Sequence, residues 1–218
     1  MKRNDKIYTY MKTHEYLPLI ICTILTIILY PYIEQNNAVF WYHILICLVL
    51  LSGLASIWNK KQFLSRAMAI WALSFILLWF DFFARSDEIL IWYLRATFIF
   101  FVIVLIKVIA SMLLHKHIST HVIYASIAWY LIIGMVWAIL FAIIEVTIPW
   151  SFAPSVQTIG NMPSFLYYSF VSMLTIWYGD IAPVWWVAQM RSVMLAIVWQ
   201  LYLTIVLGTL IGKYIRSK

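Results

Sequence analysis

Long apolar runs separated by short polar or charged stretches make up most of this sequence. A helix needs about 20 apolar residues to cross a bilayer, and six runs approach or exceed that length. The pattern therefore predicts an all-α integral membrane protein with six transmembrane helices, at residues 17–33, 38–58, 67–83, 89–114, 121–146 and 185–212. Because the connecting loops are short, consecutive helices should be neighbours.

A further apolar run, residues 163–183, lies between the last two predicted spans and is too short to cross as a helix. Pro163 and Ser164 form a helix-start signal, so a short helix should run to about Leu174. A half-length helix followed by irregular backbone and closed by Pro183 predicts a re-entrant loop. The six residues after the short helix are called the signature segment here: Thr175, Ile176, Trp177, Tyr178, Gly179 and Asp180.

The signature segment resembles the pore loop of tetrameric potassium channels, whose filter reads Thr-x-Gly-Tyr-Gly-Asp. Arg191, Ser192 and residues 200–203 are similar to the last helix of small bacterial channel proteins, so the resemblance covers roughly residues 163–212. It implies a six-helix subunit with a re-entrant pore helix and filter loop between helices five and six, and a homotetramer around one axis. The matching pore-loop positions are Tyr167, Tyr168, Ser169, Phe170, Val171, Thr175, Tyr178, Gly179, Asp180 and Pro183.

Two tryptophans stand where that family has glycine. Trp177 replaces the first filter glycine, whose positive φ lets the backbone carbonyls face the ion. A residue with a Cβ loses about 1–2 kcal/mol in that conformation, so the ladder of carbonyl sites should be broken or deformed at Trp177. Trp199 replaces a hinge glycine of the last helix, which should therefore be straighter. Trp199, Gly208 and Gly212 are the candidates for pore or gating positions in this helix.

The composition excludes a soluble domain, since 65% of the residues are hydrophobic and only 11% are charged. Basic residues concentrate on one side of the predicted spans, so the positive-inside rule puts both termini in the cytoplasm and the pore loop outside. The net charge of +7 is explained by this placement, and no nucleic-acid partner is predicted. The expected location is the cell membrane, as a multi-pass protein of a bacterial inner membrane with the lipid bilayer as its partner.

The predicted spans divide the chain into two membrane domains with short polar ends. The first membrane domain is a four-helix, sensor-like unit, and the second is the pore domain. In order, the divisions are a cytoplasmic tail at 1–16, the sensor-like domain at 17–114, a cytoplasmic linker at 115–120, the pore domain at 121–212 with its re-entrant loop at 163–183, and a cytoplasmic tail at 213–218.

Charged side chains within the spans need partners or access to the interface. Asp81 lies near the end of the third span and Arg95 in the outer part of the fourth, so we expect them to form an intramembrane charge pair. A proton or ion relay is the alternative role for Asp81. A voltage sensor needs a basic residue at every third position, whereas the fourth span has only Arg95 and Lys107, so voltage dependence should be weak.

Three histidines cluster in and beside the predicted linker: His115, His117 and His121. The helical spacing of the last two could hold a metal. No cysteine or carboxylate lies near them in the sequence, so a basic interfacial loop with some pH sensitivity is favoured and no metal site is predicted. Nucleophile–base pairs, phosphate loops and cofactor motifs are also missing from the sequence, so we expect no enzyme activity, no cofactor and no soluble substrate.

These observations lead to two hypotheses from different classes. The first is a potassium-channel-like cation channel subunit that conducts through a tetrameric pore with altered or relaxed selectivity, with K⁺ or Na⁺ as possible permeant ions. The second is a non-conducting relative of such channels with a structural or regulatory role in the membrane. In the second hypothesis, Trp177 and Trp199 plug the axis.

Overall fold

The computed structural model describes residues 14–35, 39–57, 61–84, 86–114, 119–153 and 162–216. Most of these residues are helical. The helices, numbered in chain order, are α1 (Leu17–Gln35), α2 (Val39–Ile57), α3 (Lys61–Ala84), α4 (Asp87–Leu114), α5 (Thr120–Thr147), α6 (Met162–Met173), α7 (Trp186–Tyr202) and α8 (Gly208–Arg216). A π-helical turn, Leu203–Leu207, joins α7 to α8, and two short strands, β1 (Phe152–Ala153) and β2 (Ala182–Pro183), flank α6.

The apolar runs predicted the helices well, with two differences. Helix α3 begins at Lys61, six residues before the predicted position 67, because the polar residues there are good helix formers and extend it beyond the apolar run. The last predicted span is also not one regular α-helix, because the π-helical turn interrupts it after Tyr202. The short helix α6 ends at Met173, within one residue of the prediction.

Within the described residues, three helical stretches are long and apolar enough to cross a membrane. They are Glu88–Met112, Thr120–Thr147 and Trp186–Val206. Many of their large apolar side chains are exposed on the protein surface, as expected where lipid or another subunit covers them. These features indicate an integral membrane protein. The apolar parts of α1, α2 and α3 are shorter, at Leu17–Leu29, Ile44–Leu54 and Met68–Phe80, so six spans remain a prediction.

Helix α5 is the centre of the packing. Its residues 131–139 are all buried, so this helix is apolar around its whole circumference, as a helix enclosed by others must be. Helices α4 and α6 pack against it, and α1 returns to contact it as well. Consecutive helices from α1 to α5 are neighbours, which confirms the expectation from the short loops.

The closest approach between α5 and α6 occurs at Gly134. A Cβ placed on Gly134 would lie 2.5 Å from the end of the Phe170 ring, well inside van der Waals contact. The backbone carbonyl of Gly134 also accepts a hydrogen bond of 2.8 Å from the Ser169 hydroxyl. Glycine at this position therefore allows α6 to lie directly on the backbone of α5.

Substituting Gly134 by alanine should move Phe170 and weaken the seat of α6. We expect Gly134→Ala to lower the free energy of unfolding by about 1–3 kcal/mol, the range for overpacking in a close-packed interior. Thermal unfolding of the detergent-solubilised protein measures the change. Gly208→Ala is the matched control, because a Cβ at Gly208 meets nothing within 4 Å. Equal stability of the two variants would show that the α5–α6 contact is not tight.

Candidate functional site

Helix α6 is held between α5 and α7 by hydroxyl groups. Ser169 bonds to α5 as described, and the Tyr168 hydroxyl lies 2.8 Å from the Ser192 hydroxyl of α7. Ser192 gives its own proton to the Ala188 carbonyl, so Tyr168 must donate to Ser192. These side chains are buried, and a buried hydroxyl without a partner would lose free energy. The two bonds therefore fix the position and rotation of α6.

An aromatic cluster supports the outer half of α6. The Phe152 ring, from β1, contacts the rings of Phe165 and Tyr168 with centroids 5.3 Å apart in both cases, edge to face. Phe141 of α5 completes the cluster and contacts both Phe152 and Tyr168. Edge-to-face packing of this kind adds to the free energy gained by burying the rings. The cluster ties β1, α5 and α6 into one rigid unit next to the signature segment.

The chain leaves α6 without leaving its hydrogen-bond partners. The backbone N–H of Thr175 donates to the Ser172 carbonyl, and the N–H of Ile176 donates to the Val171 carbonyl. From Ile176 to Tyr178 the backbone is neither helix nor strand. The prediction of irregular backbone immediately after a short helix is therefore confirmed for these residues.

The backbone of the signature segment alternates in handedness, which corrects the expectation for Trp177. The φ angles of Thr175, Trp177 and Gly179 are +57°, +50° and +80°, whereas Ile176 and Tyr178 between them do not have positive φ. Trp177 therefore adopts the conformation that the sequence analysis considered closed to it. The ladder is not broken at this residue. Steric strain of about 1–2 kcal/mol is instead accepted at Trp177, and also at Thr175, where a β-branched residue makes positive φ an outlier.

Asp180 ties the end of the signature segment back to α6. Its Oδ2 accepts a hydrogen bond of 2.6 Å from the Tyr167 hydroxyl, and its Oδ1 accepts one from the backbone N–H of Ile181. Both carboxylate oxygens therefore have donors. Tyr167 was noted in the sequence only as a match to the family. The bond connects residues thirteen positions apart across an irregular segment, a spacing that no helix or strand period signals.

Glu145, in the last turn of α5, organises the next layer. Its carboxylate accepts hydrogen bonds from the backbone N–H groups of Trp150 at 3.0 Å and Phe152 at 3.2 Å. Trp150 has a φ of +69°, so this turn is strained and the carboxylate holds it. A carboxylate near a helix C-terminus faces the negative end of the helix dipole, and the two N–H donors offset that repulsion. The sequence analysis placed Glu145 only as an acidic residue outside the membrane.

Strands β1 and β2 connect this turn to the exit of the signature segment. Phe152 pairs with Pro183 and Ala153 with Ala182 in an antiparallel register. Beside them, the Ser151 carbonyl accepts from the N–H groups of Val184 and Trp185. Chain segments that precede α6 and follow residue 180 are therefore joined. The signature segment is anchored at its start by α6 and at its end by this link.

Every residue from 174 to 180 is exposed in the single chain. The exposed fractions of Ile176, Trp177 and Tyr178 are 44%, 50% and 69%. Helix α7, which follows, also presents a row of exposed apolar side chains: Trp186, Met190, Val193, Met194, Ile197 and Leu201. An apolar surface of this kind beside a strained, anchored segment is typical of a surface that other subunits complete.

Trp199 is not available to plug an axis, which corrects the second call on tryptophan. It is only 5% exposed and packs within the chain, against Tyr130 with ring centroids 4.6 Å apart and against Tyr202 at 5.5 Å. Trp129 in turn stacks on Tyr202 at 3.9 Å, and the Tyr202 hydroxyl donates to the Ser126 carbonyl. The tryptophan therefore clamps α7 onto α5. A glycine-for-tryptophan comparison at one position gives no information about which side of the helix faces inward.

The last helix is also not straight, as the loss of the hinge glycine had predicted. The π-helical turn Leu203–Leu207 begins four residues after Trp199, immediately beyond the aromatic clamp. Such turns break the regular α-helical hydrogen bonding and often accompany functional bends. Gly208 lies just after this turn, and a Cβ on Gly208 or Gly212 would meet open space, so neither glycine packs closely within the single chain.

The remaining candidates fall at the edges of the described structure. Asp81 lies in α3, but its side chain is outside the described part, so its pairing with Arg95 stays a prediction. The Arg95 guanidinium lies 5.4 Å from the Trp92 ring centroid, a cation–π contact on the surface of α4. His115 and His117 lie outside the described residues. Among the described residues, no group of three potential metal ligands is present.

Replacing Trp199 should destabilise the protein strongly. We expect Trp199→Gly to lower the free energy of unfolding by about 3–5 kcal/mol for the lost buried ring, plus about 1 kcal/mol for glycine within a helix. Trp186→Gly, which removes a tryptophan that is 65% exposed at the start of the same helix, is the control and should cost far less. Thermal unfolding in detergent compares the two. A small, equal effect would argue against the clamp.

Comparison with known proteins adds no assignment to this geometry. No protein-family model matches the chain, and neither curated proteins nor solved structures give a significant match. The resemblance to potassium channels therefore rests on the residues of the pore-loop region and on the conformation they adopt.

Proposed function

We propose that this chain is a pore-forming subunit of a potassium-channel-like cation channel with altered or relaxed selectivity. One observation carries the proposal: positive φ at three alternate residues, Thr175, Trp177 and Gly179, directly after a 12-residue helix between two helices long enough to span a membrane. Two of these three residues are not glycine, so the conformation is not a default of the sequence. Strain of this kind persists where the surroundings impose it and clusters at functional sites.

The alternation supports ion conduction for a geometric reason. Residues that alternate in handedness bring successive N–H groups to one side of the backbone and the carbonyls to the other. A row of carbonyls on one side can replace the water shell of a cation. Helix α6 is about 18 Å long, too short to span a bilayer, so it can carry such a row to mid-membrane only as a re-entrant element. Four subunits around an axis would complete the ring of ligands.

Relaxed selectivity follows from the strain at Trp177. Discrimination between K⁺ and Na⁺ requires carbonyl ligands held at defined positions or with a defined field. A tryptophan in the left-handed region raises the energy of the segment by about 1–2 kcal/mol in each subunit. Its indole, half exposed in the single chain, must also be accommodated where subunits meet. Both effects make the ordered carbonyl row less stable relative to distorted forms, which would be less selective.

The proposed assembly is a homotetramer in a cell membrane, with six spans per subunit and both termini in the cytoplasm. The support is the apolar surface of α7 and the exposure of the signature segment, both of which further copies of the chain would cover. Such a surface also contacts lipid where no subunit covers it. A monovalent cation, K⁺ or Na⁺, is the proposed permeant ion, and neither an enzyme activity nor a cofactor forms part of the proposal.

The alternative, a non-conducting relative with a structural or regulatory role, now depends on one residue. Trp199 packs inside the chain and supplies no plug. Trp177 remains, because half of its surface is exposed next to the proposed carbonyl row. In this alternative, four indoles block the outer part of the axis while the assembly and its apolar contacts persist.

Ion flux into liposomes tests the function directly. We expect the wild type to pass both K⁺ and Na⁺, and Trp177→Gly to raise the K⁺/Na⁺ flux ratio about tenfold. Glycine adopts a φ of +50° without steric loss, and a gain of about 1.4 kcal/mol in favour of the ordered segment corresponds to that factor. Trp150→Gly is a matched control, because Trp150 is also an exposed tryptophan with positive φ but lies outside the signature segment. Its flux ratio should equal that of the wild type.

The outcomes separate the hypotheses. Strong K⁺ selectivity in the wild type would show that tryptophan at position 177 does not relax the filter. No flux in the wild type, with flux restored by Trp177→Gly, would favour the plugged, non-conducting relative. No flux in any variant of a correctly assembled protein would remove the channel proposal.

The oligomeric state gives an independent check of the assembly. Met190 and Met194 lie exposed on α7, and replacing either by cysteine places a thiol on the proposed contact surface. We expect mild oxidation in membranes to link pairs of subunits at one or both positions, and native mass spectrometry of the wild type to give four copies. Phe80→Cys, on the exposed surface of α3, serves as the control and should not link. A monomer in native mass spectrometry would contradict the proposal.

A further inference from the structure

An ionisable pair joins the segment before α1 to the beginning of α5. The carboxylate Oε1 of Glu15 lies 3.0 Å from Nε2 of His121, and the residues are 106 positions apart. The side chains are only 13% and 10% exposed. His121 occupies the first turn of α5, next to the linker that leads into the proposed pore domain. The sequence analysis found no carboxylate near the histidines, and the fold supplies one from the opposite end of the chain.

Aromatic and basic groups enclose this pair on three sides. The His14 ring contacts Tyr124 of α5 at 5.4 Å between centroids, and the Tyr16 ring contacts His121 at 5.1 Å. From α4, the Lys107 ammonium lies 5.9 Å from the Tyr16 ring centroid, close enough to act on Glu15 electrostatically. Within the described part of the chain, the titratable groups that face the pair are therefore His14, Tyr16, Lys107 and Tyr124.

The charges in this cluster favour an ionised Glu15. Burial by itself raises the pKa of the Glu15 carboxyl, but the hydrogen bond with His121 and the charge of Lys107 outweigh it, so its pKa lies below the ordinary value. The carboxylate also stands near the N-terminus of α5, whose dipole favours a negative charge. Glu15 therefore stays charged above pH 5, and histidine is the group whose charge changes between pH 5 and 8.

We propose that Glu15 and His121 form a proton-dependent latch between the segment before α1 and the first turn of α5. At higher pH the pair is a carboxylate bonded to a neutral imidazole. At mildly acidic pH it becomes a charge-assisted pair, which is the stronger bond. Because α1 belongs to the sensor-like domain and α5 to the pore domain, the latch tightens the connection between the two domains as protons accumulate on that side of the membrane.

The direction of the pH dependence follows from the two groups. Protonation of His121 strengthens the latch as pH falls from 8 to 5. The lowered pKa of Glu15 means that its contribution is present above the ordinary carboxyl pKa and is lost only as pH falls through the lowered value, below about pH 4. The latch is therefore tightest in the mildly acidic range. This inference does not depend on ion conduction.

Hydrogen exchange at the two ends of the latch tests the proposal without any flux measurement. Three amides report on the structures involved: Leu17, bonded to the His14 carbonyl, and Val122 and Ile123, both bonded to the Ser119 carbonyl. We expect their protection factors, corrected for intrinsic exchange, to be about fivefold higher at pH 5.5 than at pH 8 in the full-length protein in lipid nanodiscs. The factor corresponds to the difference of about 1 kcal/mol between hydrogen bonds to charged and to neutral partners.

Variants assign the effect to this pair. His121→Gln keeps a donor but cannot take up a proton, and Glu15→Gln removes the charge, so each should abolish the pH dependence, as should the double variant. His14→Gln is the matched control from the same cluster and should behave as the wild type. Glu88→Gln, an exposed acid at the far end of α4, controls for the loss of a carboxylate. Equal protection at the two pH values in the wild type would overturn the latch, and so would a pH dependence that persists in His121→Gln.

Discussion

The irregular backbone after α6 is the feature on which the rest of the structure depends. A stretch without helical or sheet hydrogen bonds can lie within an apolar protein only if its polar groups find other partners. Here those partners come from every side: α6 supplies Tyr167 and the Val171 carbonyl, and the turn after α5 supplies Ser151. Because these partners belong to three different elements, the segment fixes how α5, α6 and the start of α7 are arranged. The hydroxyl bonds and the aromatic cluster around α6 have the same consequence.

Helix α5 serves as the support for both ends of this arrangement. It is the most enclosed helix, so displacing it would expose the largest continuous apolar surface. A carboxylate acts at each end: Glu15 beside its first turn and Glu145 within its last. The first is favoured by the helix dipole and the second is opposed by it, so only Glu145 depends on its backbone donors. A change at either end is therefore transmitted along a rigid, fully packed helix to the segment that α6 carries.

The helices and the signature segment could be predicted from the sequence, because long apolar runs and short punctuated ones have few other interpretations in a membrane protein. Partners distant in the chain could not. Glu15 and His121 carry no shared pattern, and the Tyr167–Asp180 bond spans an irregular segment with no period. The direction of Trp199 was also hidden, because a family resemblance gives the position of a residue along a helix but not the side that its new side chain faces.

Trp177 shows where reasoning from local conformational preference fails. That preference opposes positive φ for any residue with a Cβ, and it led to the expectation of a broken segment. The preference amounts to only about 1–2 kcal/mol, whereas each charge-assisted hydrogen bond is of similar size or larger. Ile176 is bonded to α6 before the tryptophan and Asp180 is bonded to Tyr167 after it, so both ends are held. Trp177 must then adopt the conformation that connects them. Its strain is stored between two fixed points, and the backbone alternation is a property of the surrounding fold rather than of the residue at position 177.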